Sequence, residues 1–310
     1  MKALWIKWQN FWFEPQSPYP LAVFRIVFGL LLVLNFSLQY LPQYKLYFGV
    51  EPIITTSEVM FYRFDQVPVF DLLLLLPQED SWRLGFLYLC ILLSLFMTLG
   101  LFTRIVTVVL FLCLLSLNNH FPMILHAGDN YCRLLLLFMC FAPSGMVLSL
   151  DRYFSKNKTP AMTFEAWPQR LMQVQLTYVY IINWIYKVMS SQWTEGSAVY
   201  YATRLTQYYR FDLPPLLDTV FGSMAFSWFT LIIEFALFAF IWQKKTRYWV
   251  LTAGAIFHMG LDWCFNLGLF EWYFIASFIL FVDPRDLKKE NLDKIKHLFS
   301  TKKNAATVEN

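Results

Sequence analysis

The sequence predicts an all-α integral membrane protein, a bundle of about eight transmembrane helices with short interfacial helices in its outer cap loops. Hydrophobic residues make up 58% of the 310 residues, and charged residues only 15%. Soluble domains carry about 25% charged residues, and a soluble core of this length could not bury so much apolar surface. The apolar residues also fall into runs of about 17–25, the length that crosses a bilayer.

Eight apolar runs follow one another, and each is predicted to form one spanning helix. They cover residues 19–41, 82–101, 104–121, 130–148, 170–190, 223–242, 248–265 and 269–283. A further stretch, 67–76, is too short to span and is expected to lie in the interface or to re-enter the membrane. The first 19 residues lack a signal-peptide cleavage site, so the first span is expected to act as the insertion signal. Residues 1–283 are predicted to form one membrane domain, followed by a polar cytoplasmic tail, 284–310.

The distribution of Lys and Arg predicts that both termini are cytoplasmic. With that orientation, 17 of the 25 basic residues lie on the cytoplasmic side, 5 lie outside, and 3 lie within spans. The long connections 42–81 and 191–222 then lie on the outer side, where we expect ordered caps. The expected location is the cell (inner) membrane, with the protein crossing it several times.

Ionisable residues occur within the predicted spans or at their edges, where a charge is costly unless it is paired or faces a cavity. Those singled out as informative are Arg25, Asp129, Arg133, Lys187, Glu234, His258 and Asp262. Arg133 follows Asp129 by four positions, and Asp262 follows His258 by four, so each pair shares one helix face.

Two kinds of role are open to these residues. Arg25, Arg133 and Glu234 are predicted to be structural, in a network of interhelical ion pairs or hydrogen bonds. For Lys187, snorkelling to the outer interface and a chemical role are equal alternatives. His258 is either a hydrogen-bonded core histidine or a catalytic group.

A second polar cluster begins where the third span ends and continues into the fourth. It comprises Asn118, Asn119, His120, His126 and Asp129. The predicted topology places it on the same outer face as Lys187, Trp193, Glu195 and Asp262. Polar side chains gathered from several helices at one depth are what a cavity-based site requires.

Metal and nucleic-acid binding are not predicted. His120 and His126 are not at the spacing of a helical ligand pair, and the five cysteines show no metal-binding or redox pairing. The net charge of +4 is too small to indicate a nucleic-acid partner.

Six short motifs occur in order along nearly the whole chain. They are LAVFRIVFGLLL with Arg25 and Gly29, LGLFTR at 99–104, NNH at 118–120, HAGD at 126–129 with Arg133 a turn later, K-x5-W-x-[DE]-G with Lys187, Trp193, Glu195 and Gly196, and FHMGLDWCFNLGLF at 257–270. Together they resemble the horizontally transferred transmembrane (HTTM) domain family, whose best-known member is the vitamin K-dependent gamma-carboxylase of animals.

The resemblance implies a helical membrane scaffold with a cavity the size of a lipid quinone, and a quinone-type lipid as a candidate cofactor. The carboxylase segment similar to NNH contains a functional histidine, which would correspond to His120. Val188 stands where the carboxylases carry the lysine credited as the base that starts vitamin K hydroquinone oxidation, so the resemblance does not extend to gamma-carboxylation. Short bacterial relatives are implicated in maturing a secreted toxin peptide, which makes peptide modification a candidate role.

The leading hypothesis is an intramembrane enzyme, carboxylase-like or oxidoreductase-like, that modifies a peptide or lipid-like substrate at the outer face. Lys187 and His120 would form the acid–base pair, because both can exchange protons near neutral pH once burial lowers the pKa of the lysine. His258, also a catalytic candidate, would form a second, inner polar pair with Asp262. The substrate cavity would be lined by Asn119, His126, Asp129, Trp193, Glu195 and Asp262.

Two alternatives belong to other functional classes. One is a non-catalytic membrane partner that holds a peptide or a second protein for a maturation or secretion system. The other is a small-molecule transporter, which the lack of an internal repeat and of paired Gly/Pro-broken helices disfavours. Membrane lipids are expected partners in every case.

Overall fold

The computed structural model describes residues 1–54, 70–155 and 163–285, and almost all of its regular structure is helical. Its longer helices are α1 (Lys2–Phe13), α2 (Tyr19–Asn35), α3 (Asp80–Leu99), α4 (Thr103–His120), α5 (Ala127–Phe141), α6 (Trp167–Val188), α7 (Val220–Ala239), α8 (Arg247–Cys264) and α9 (Phe270–Phe278). The strands Pro15–Gln16 and Phe164–Glu165 pair antiparallel.

Short helical segments extend or connect the long ones. A π-helical turn, Phe36–Tyr40, a 3₁₀ turn, Leu41–Gln43, and a short α-helix, Tyr44–Tyr47, continue α2. The other short segments are Leu72–Leu75, Pro122–Ile124, Leu150–Phe154, Ser191–Thr194, Ala198–Ala202, Thr206–Tyr208, Pro215–Asp218 and Ile279–Phe281.

Each predicted span coincides with a helix, and within the described residues four helical segments are long and apolar enough to cross a membrane. These four are Tyr19–Tyr47, Asp80–Leu99, Thr103–His120 and Val220–Ala239. Phe270–Phe281 is apolar but shorter, whereas α6 and α8 reach the length but are less apolar. The chain is therefore an α-helical membrane protein, and the number of eight spans remains a prediction.

One predicted boundary is wrong, and one helix was not predicted. The span predicted at 130–148 ends at Phe141, because Pro143 cannot continue a helix and disfavours helical geometry in the residue before it. Helix α1 was not predicted at all. It lies against α6, where Arg170 Nε donates to the Phe11 carbonyl at 3.1 Å.

α2 lies at the centre of the bundle, packed against α3 and α9. Its close approach to α3 depends on Gly29, since a Cβ there would lie 2.5 Å from Thr98 Oγ1. Near the first turns of α2, the fully buried Arg25 donates from Nη1 to the Ser144 carbonyl at 2.7 Å and from Nη2 to the Leu148 carbonyl. The guanidinium thus satisfies carbonyls left free where α5 has ended.

Next to this arginine, the turn between α3 and α4 is fixed by Asp151. Its carboxylate accepts hydrogen bonds from the backbone amides of Phe102 at 2.6 Å and Thr103 at 2.8 Å, and from Thr103 Oγ1 at 2.6 Å. Burial alone would raise the pKa of Asp151, but these hydrogen bonds outweigh it and hold the pKa below its ordinary value.

At the opposite end, termed the outer end after the predicted orientation, the connections pack onto the helices. The amide of Asn266 donates to the Tyr208 carbonyl at 2.7 Å, and Trp228 Nε1 donates to the Thr194 carbonyl at 3.1 Å. Of the predicted cap 42–81, positions 55–69 lie outside the described residues, as does the predicted tail beyond 285.

Candidate functional site

Lys187 and Glu234 form an ion pair between α6 and α7. Lys187 lies one residue before the end of α6, and its Nζ donates to Glu234 Oε1. The chain then turns into Ser191–Thr194, which brings the Trp193 ring centroid to 5.1 Å from Nζ. The carboxylate is deeply buried while the lysine side chain retains some exposure. Glu234, predicted only as a structural residue, is thus the direct partner of the leading catalytic candidate.

This ion pair lies on a cavity of about 500 Å³ between α7, α8 and the outer cap. Apart from Lys187, Glu234, Thr203 and Thr230, the lining is apolar or aromatic. The remaining lining residues are Trp193, Val199, Ala202, Pro214, Leu217, Phe226, Phe229, Ile256, Phe257, Gly260, Leu261, Trp263, Cys264 and Phe265. Glu234 Oε2 is buried and has no hydrogen-bond partner. A buried carboxylate oxygen without a partner is costly, so this atom would gain from a ligand that donates a hydrogen bond to it.

His120 lies in a separate buried pair with Asp71. Its Nδ1 is 2.8 Å from Asp71 Oδ2, while Asp71 Oδ1 accepts from Ser116 Oγ at 3.0 Å and from the Leu73 amide at 2.9 Å. Both side chains of the pair are almost fully buried. The neighbouring Asn119 also contacts this segment, donating to the Phe70 carbonyl at 2.8 Å.

His258 belongs to a third polar group inside the bundle. Its Nδ1 is hydrogen-bonded to Glu271 Oε2, and its Nε2 lies 2.6 Å from the Tyr180 hydroxyl. The ring also stacks on Phe274, with centroids 5.0 Å apart. Both ring nitrogens therefore have partners on neighbouring helices.

The predicted pair of His258 with Asp262 is wrong. Asp262 instead accepts a hydrogen bond from Arg210 Nη1 of the outer cap at 2.6 Å, and its side chain is mostly buried there. The spacing of four residues does place the two side chains on related faces of α8. However, the elements packed against α8 decide the partner of each side chain. His258 meets residues of α6 and α9, whereas Asp262 meets the outer cap.

His126 and Asp129 form the N-terminal cap of α5. His126 Nδ1 accepts from the Gly128 amide at 3.0 Å, and Asp129 Oδ2 accepts from the His126 amide at 3.0 Å. Arg133, predicted to take part in an interhelical network, donates instead to Asn130 Oδ1 of its own helix at 2.9 Å. The cap side chains line a second outer cavity of about 600 Å³ together with Gln39 and other residues of the extension of α2.

The predicted acid–base pair of Lys187 and His120 is not brought together. His120 ends α4, which packs against α3 and α5, whereas Lys187 lies on α6 against α7. Neither His120 nor His258 is a lining residue of the cavity beside Lys187. Glu195 is exposed and lines a smaller surface pocket, so Trp193 is the cap residue of the K-x5-W motif that reaches the ion pair. In the described ranges, no group of three or more His, Cys, Asp or Glu side chains could hold a metal ion.

Three residues of these polar groups were missed in the sequence. Asp71 lies within the apolar stretch 67–76, and Glu271 lies next to aromatic residues at the start of the last predicted span. Each is an acidic residue in an otherwise apolar segment, the same signal that singled out Glu234. Tyr180 gave no such signal, because a tyrosine in a spanning helix is common.

The family comparison agrees with this architecture. A family model described as the HTTM domain matches residues 13–285, which includes α2 to α9. No solved structure matches the chain. The motifs from Arg25 to Gly268 predicted the same family, and the match covers far more than half of the sequence. The chain therefore belongs to the HTTM domain family and is a membrane protein related to the carboxylases.

Proposed function

We propose that this protein is an intramembrane enzyme that binds a lipid-like or peptide substrate in the cavity beside Lys187 and Glu234 and exchanges a proton with it. The observation that carries the proposal is the ion pair on the wall of an apolar cavity, with one carboxylate oxygen lacking a partner. Structural ion pairs are usually closed by further hydrogen bonds. An open one beside a cavity is suited to proton exchange with a ligand.

The proton chemistry follows from the two side chains. In an apolar site the ammonium and carboxylate stabilise each other, and a proton moving from Lys187 to Glu234 would leave a neutral amine and a neutral acid with no separated charge. The amine could then accept a proton from a bound substrate. Trp193, with its ring face toward Nζ, favours the cationic form and shields it from water.

The cavity favours a substrate with an apolar body and one polar group. A volume of about 500 Å³ is in the range of small-molecule sites. A quinone-type lipid fits this lining, because its ring oxygen could meet Lys187 or Glu234 while the rest contacts aromatic side chains. Val188 is not a lining residue of the cavity, so gamma-carboxylation is not part of the proposal.

A second candidate, a non-catalytic partner in peptide maturation or secretion, is favoured by a different observation. The other two histidine candidates lie in closed pairs with Asp71 and Glu271, away from the cavity. Polar groups dispersed in this way are typical of a scaffold whose pairs fix the helices. The substitution of Lys187 distinguishes the two functions.

The test is rescue of a deletion strain by Lys187→Arg and Lys187→Met at matched expression. Arginine keeps the charge and the ion pair but cannot yield a neutral base, so an enzyme should lose activity with both substitutions. Lys244→Met, on an exposed loop, is the control and should rescue fully. Rescue by arginine alone would assign Lys187 to ion pairing and favour the scaffold, and rescue by both would remove it from the site.

A further inference from the structure

The cavity beside Lys187 borders an exposed face of α8. Ile256, Gly260 and Trp263 line it, and they lie four and three residues apart, on one helix face. Ile256 is 65% exposed and Trp263 is 52% exposed. In the predicted topology α8 spans the bilayer, so exposed apolar side chains on this face contact lipid rather than water. In that topology the same three residues border both the cavity and the bilayer.

Gly260 leaves a gap in this wall. A Cβ built at Gly260 would have no heavy atom within 4 Å, whereas one at Gly254, a turn and a half earlier, would lie 2.7 Å from Leu237 Cδ2. Gly254 is thus required for the packing of α8 against α7, and Gly260 is not. Glycine costs helix stability relative to larger residues. The result of having it at position 260 is open space at the edge of the cavity, where a side chain would otherwise stand.

The cavity also has a polar part of its wall, formed by Lys187 and Glu234. Glu234 Oε2 is buried without a partner, and Lys187 Nζ lies beside the same carboxylate. A hydroxyl group matches this pair, because it can donate to the carboxylate and accept from the ammonium. The lining between this pair and Gly260 is largely apolar, including Phe229 and Leu261.

We propose that a single-chain amphiphile with a hydroxyl head enters the cavity sideways from the bilayer through the gap at Gly260. Its hydroxyl binds at Lys187 and Glu234, and its apolar chain passes Gly260 into the lipid. This inference rests on the proposed function for the location of the site and adds the class of substrate and its route.

The test is photolabelling of the full-length protein in phosphatidylcholine nanodiscs. The probe is hexadecanol carrying a diazirine on its chain, and labelled residues are identified by mass spectrometry. Gly260→Phe should fill the gap and lower labelling of the cavity segments of α7 and α8 about tenfold. Gly260→Leu, a smaller change, should lower it in the same direction and serves if the phenylalanine variant is not folded.

Gly85→Phe is the matched control. Gly85 is also a helical glycine with no atom near its Cβ position, but it lies on α3 and is not a lining residue of the cavity. Its labelling should equal that of the wild type. A diazirine-bearing hydrocarbon without the hydroxyl should label the cavity segments weakly.

Three results would overturn the proposal. They are unchanged labelling in folded Gly260→Phe and Gly260→Leu, an equal loss in Gly85→Phe, and equal labelling by the hydrocarbon probe. The experiment measures occupancy alone, so its outcome is independent of the Lys187 rescue assay. Labelling that depends on Gly260, together with rescue by Lys187→Met, would retain the entry route and reject the proton chemistry.

Discussion

At the scale of single residues, the partner of a polar group is decided by packing between helices, which local spacing does not report. Lys187 was singled out by its position at the end of an apolar helix and by its spacing to Trp193. Its partner Glu234 lies 47 residues away, on another helix. The predicted pair of His258 with Asp262 was wrong for the same reason, because the partners of His258, Tyr180 and Glu271, lie on α6 and α9. Its predicted catalytic role stays a prediction.

Glu271→Leu should destabilise the protein by about 1–3 kcal/mol, because it leaves a buried imidazole nitrogen without its partner. Glu271→Gln keeps the shape and one hydrogen bond and should cost less. The measurement is the thermal unfolding midpoint in detergent micelles. Glu51→Leu, at an exposed position, is the control and should change little. Equal midpoints for Glu271→Leu and wild type would show that the pair with His258 contributes nothing to stability.

At the scale of elements, every predicted apolar run overlaps a helix of the structure. The differences between prediction and structure are explained by single residues or by short sequence patterns. Pro143 ends α5 early. Helix α1 was missed because aromatic residues and lysines alternate without a long apolar run. The turn around Asp151 and Ser144 could not be predicted, since its hydrogen bonds join positions about 50 to 120 residues apart.

Arg25→Leu and Arg133→Leu should differ strongly in stability. Arg25 is fully buried, and its loss leaves the Ser144 and Leu148 carbonyls without their donor, a cost of about 3 kcal/mol. Arg133 is only partly buried and bonds a neighbour on its own helix, so its loss should cost less than about 1 kcal/mol. Yield and thermal midpoint of the two purified variants measure the difference. A larger loss of stability in Arg133→Leu than in Arg25→Leu would contradict the assignment of Arg25 as the more important structural residue.

The contribution of Asp151 to stability should depend on pH. Since its folded pKa lies below the ordinary value, the contribution is present above the unfolded pKa of about 3.9 and is lost as pH falls through the folded pKa. The difference in unfolding midpoint between wild type and Asp151→Asn should therefore be largest near neutral pH and shrink below about pH 4. A difference that stays constant over this range would assign the effect to packing.

At the scale of the whole molecule, composition and the order of the motifs were sufficient to predict the membrane class and the family. The arrangement of three separate polar groups was not predictable, because packing between helices decides which side chains meet. His120, Lys187 and His258 were all candidates for one site, yet each contacts a different acidic residue.

The predicted orientation can be tested with single cysteines placed at Tyr208 and Lys244 in a background without native cysteines. Both positions are exposed, so accessibility alone does not distinguish them. A membrane-impermeant maleimide added to intact cells should label position 208 and spare position 244, as the excess of basic residues on the cytoplasmic side predicts. In permeabilised cells the maleimide should label both positions. Labelling of position 244 in intact cells would invert the topology.

The hydrogen bonds of Arg25 also have a consequence in time. Its acceptor Ser144 lies 119 residues later in the chain, and a ribosome adds about 5–20 residues per second. The first span thus exists for roughly 6 to 24 s before the carbonyl that binds its arginine has been made. During that interval the guanidinium must be solvated by lipid headgroups or by the insertion machinery, which its position near one end of α2 permits. The central helix α2 therefore cannot reach its final packing until the chain beyond α5 has been synthesised.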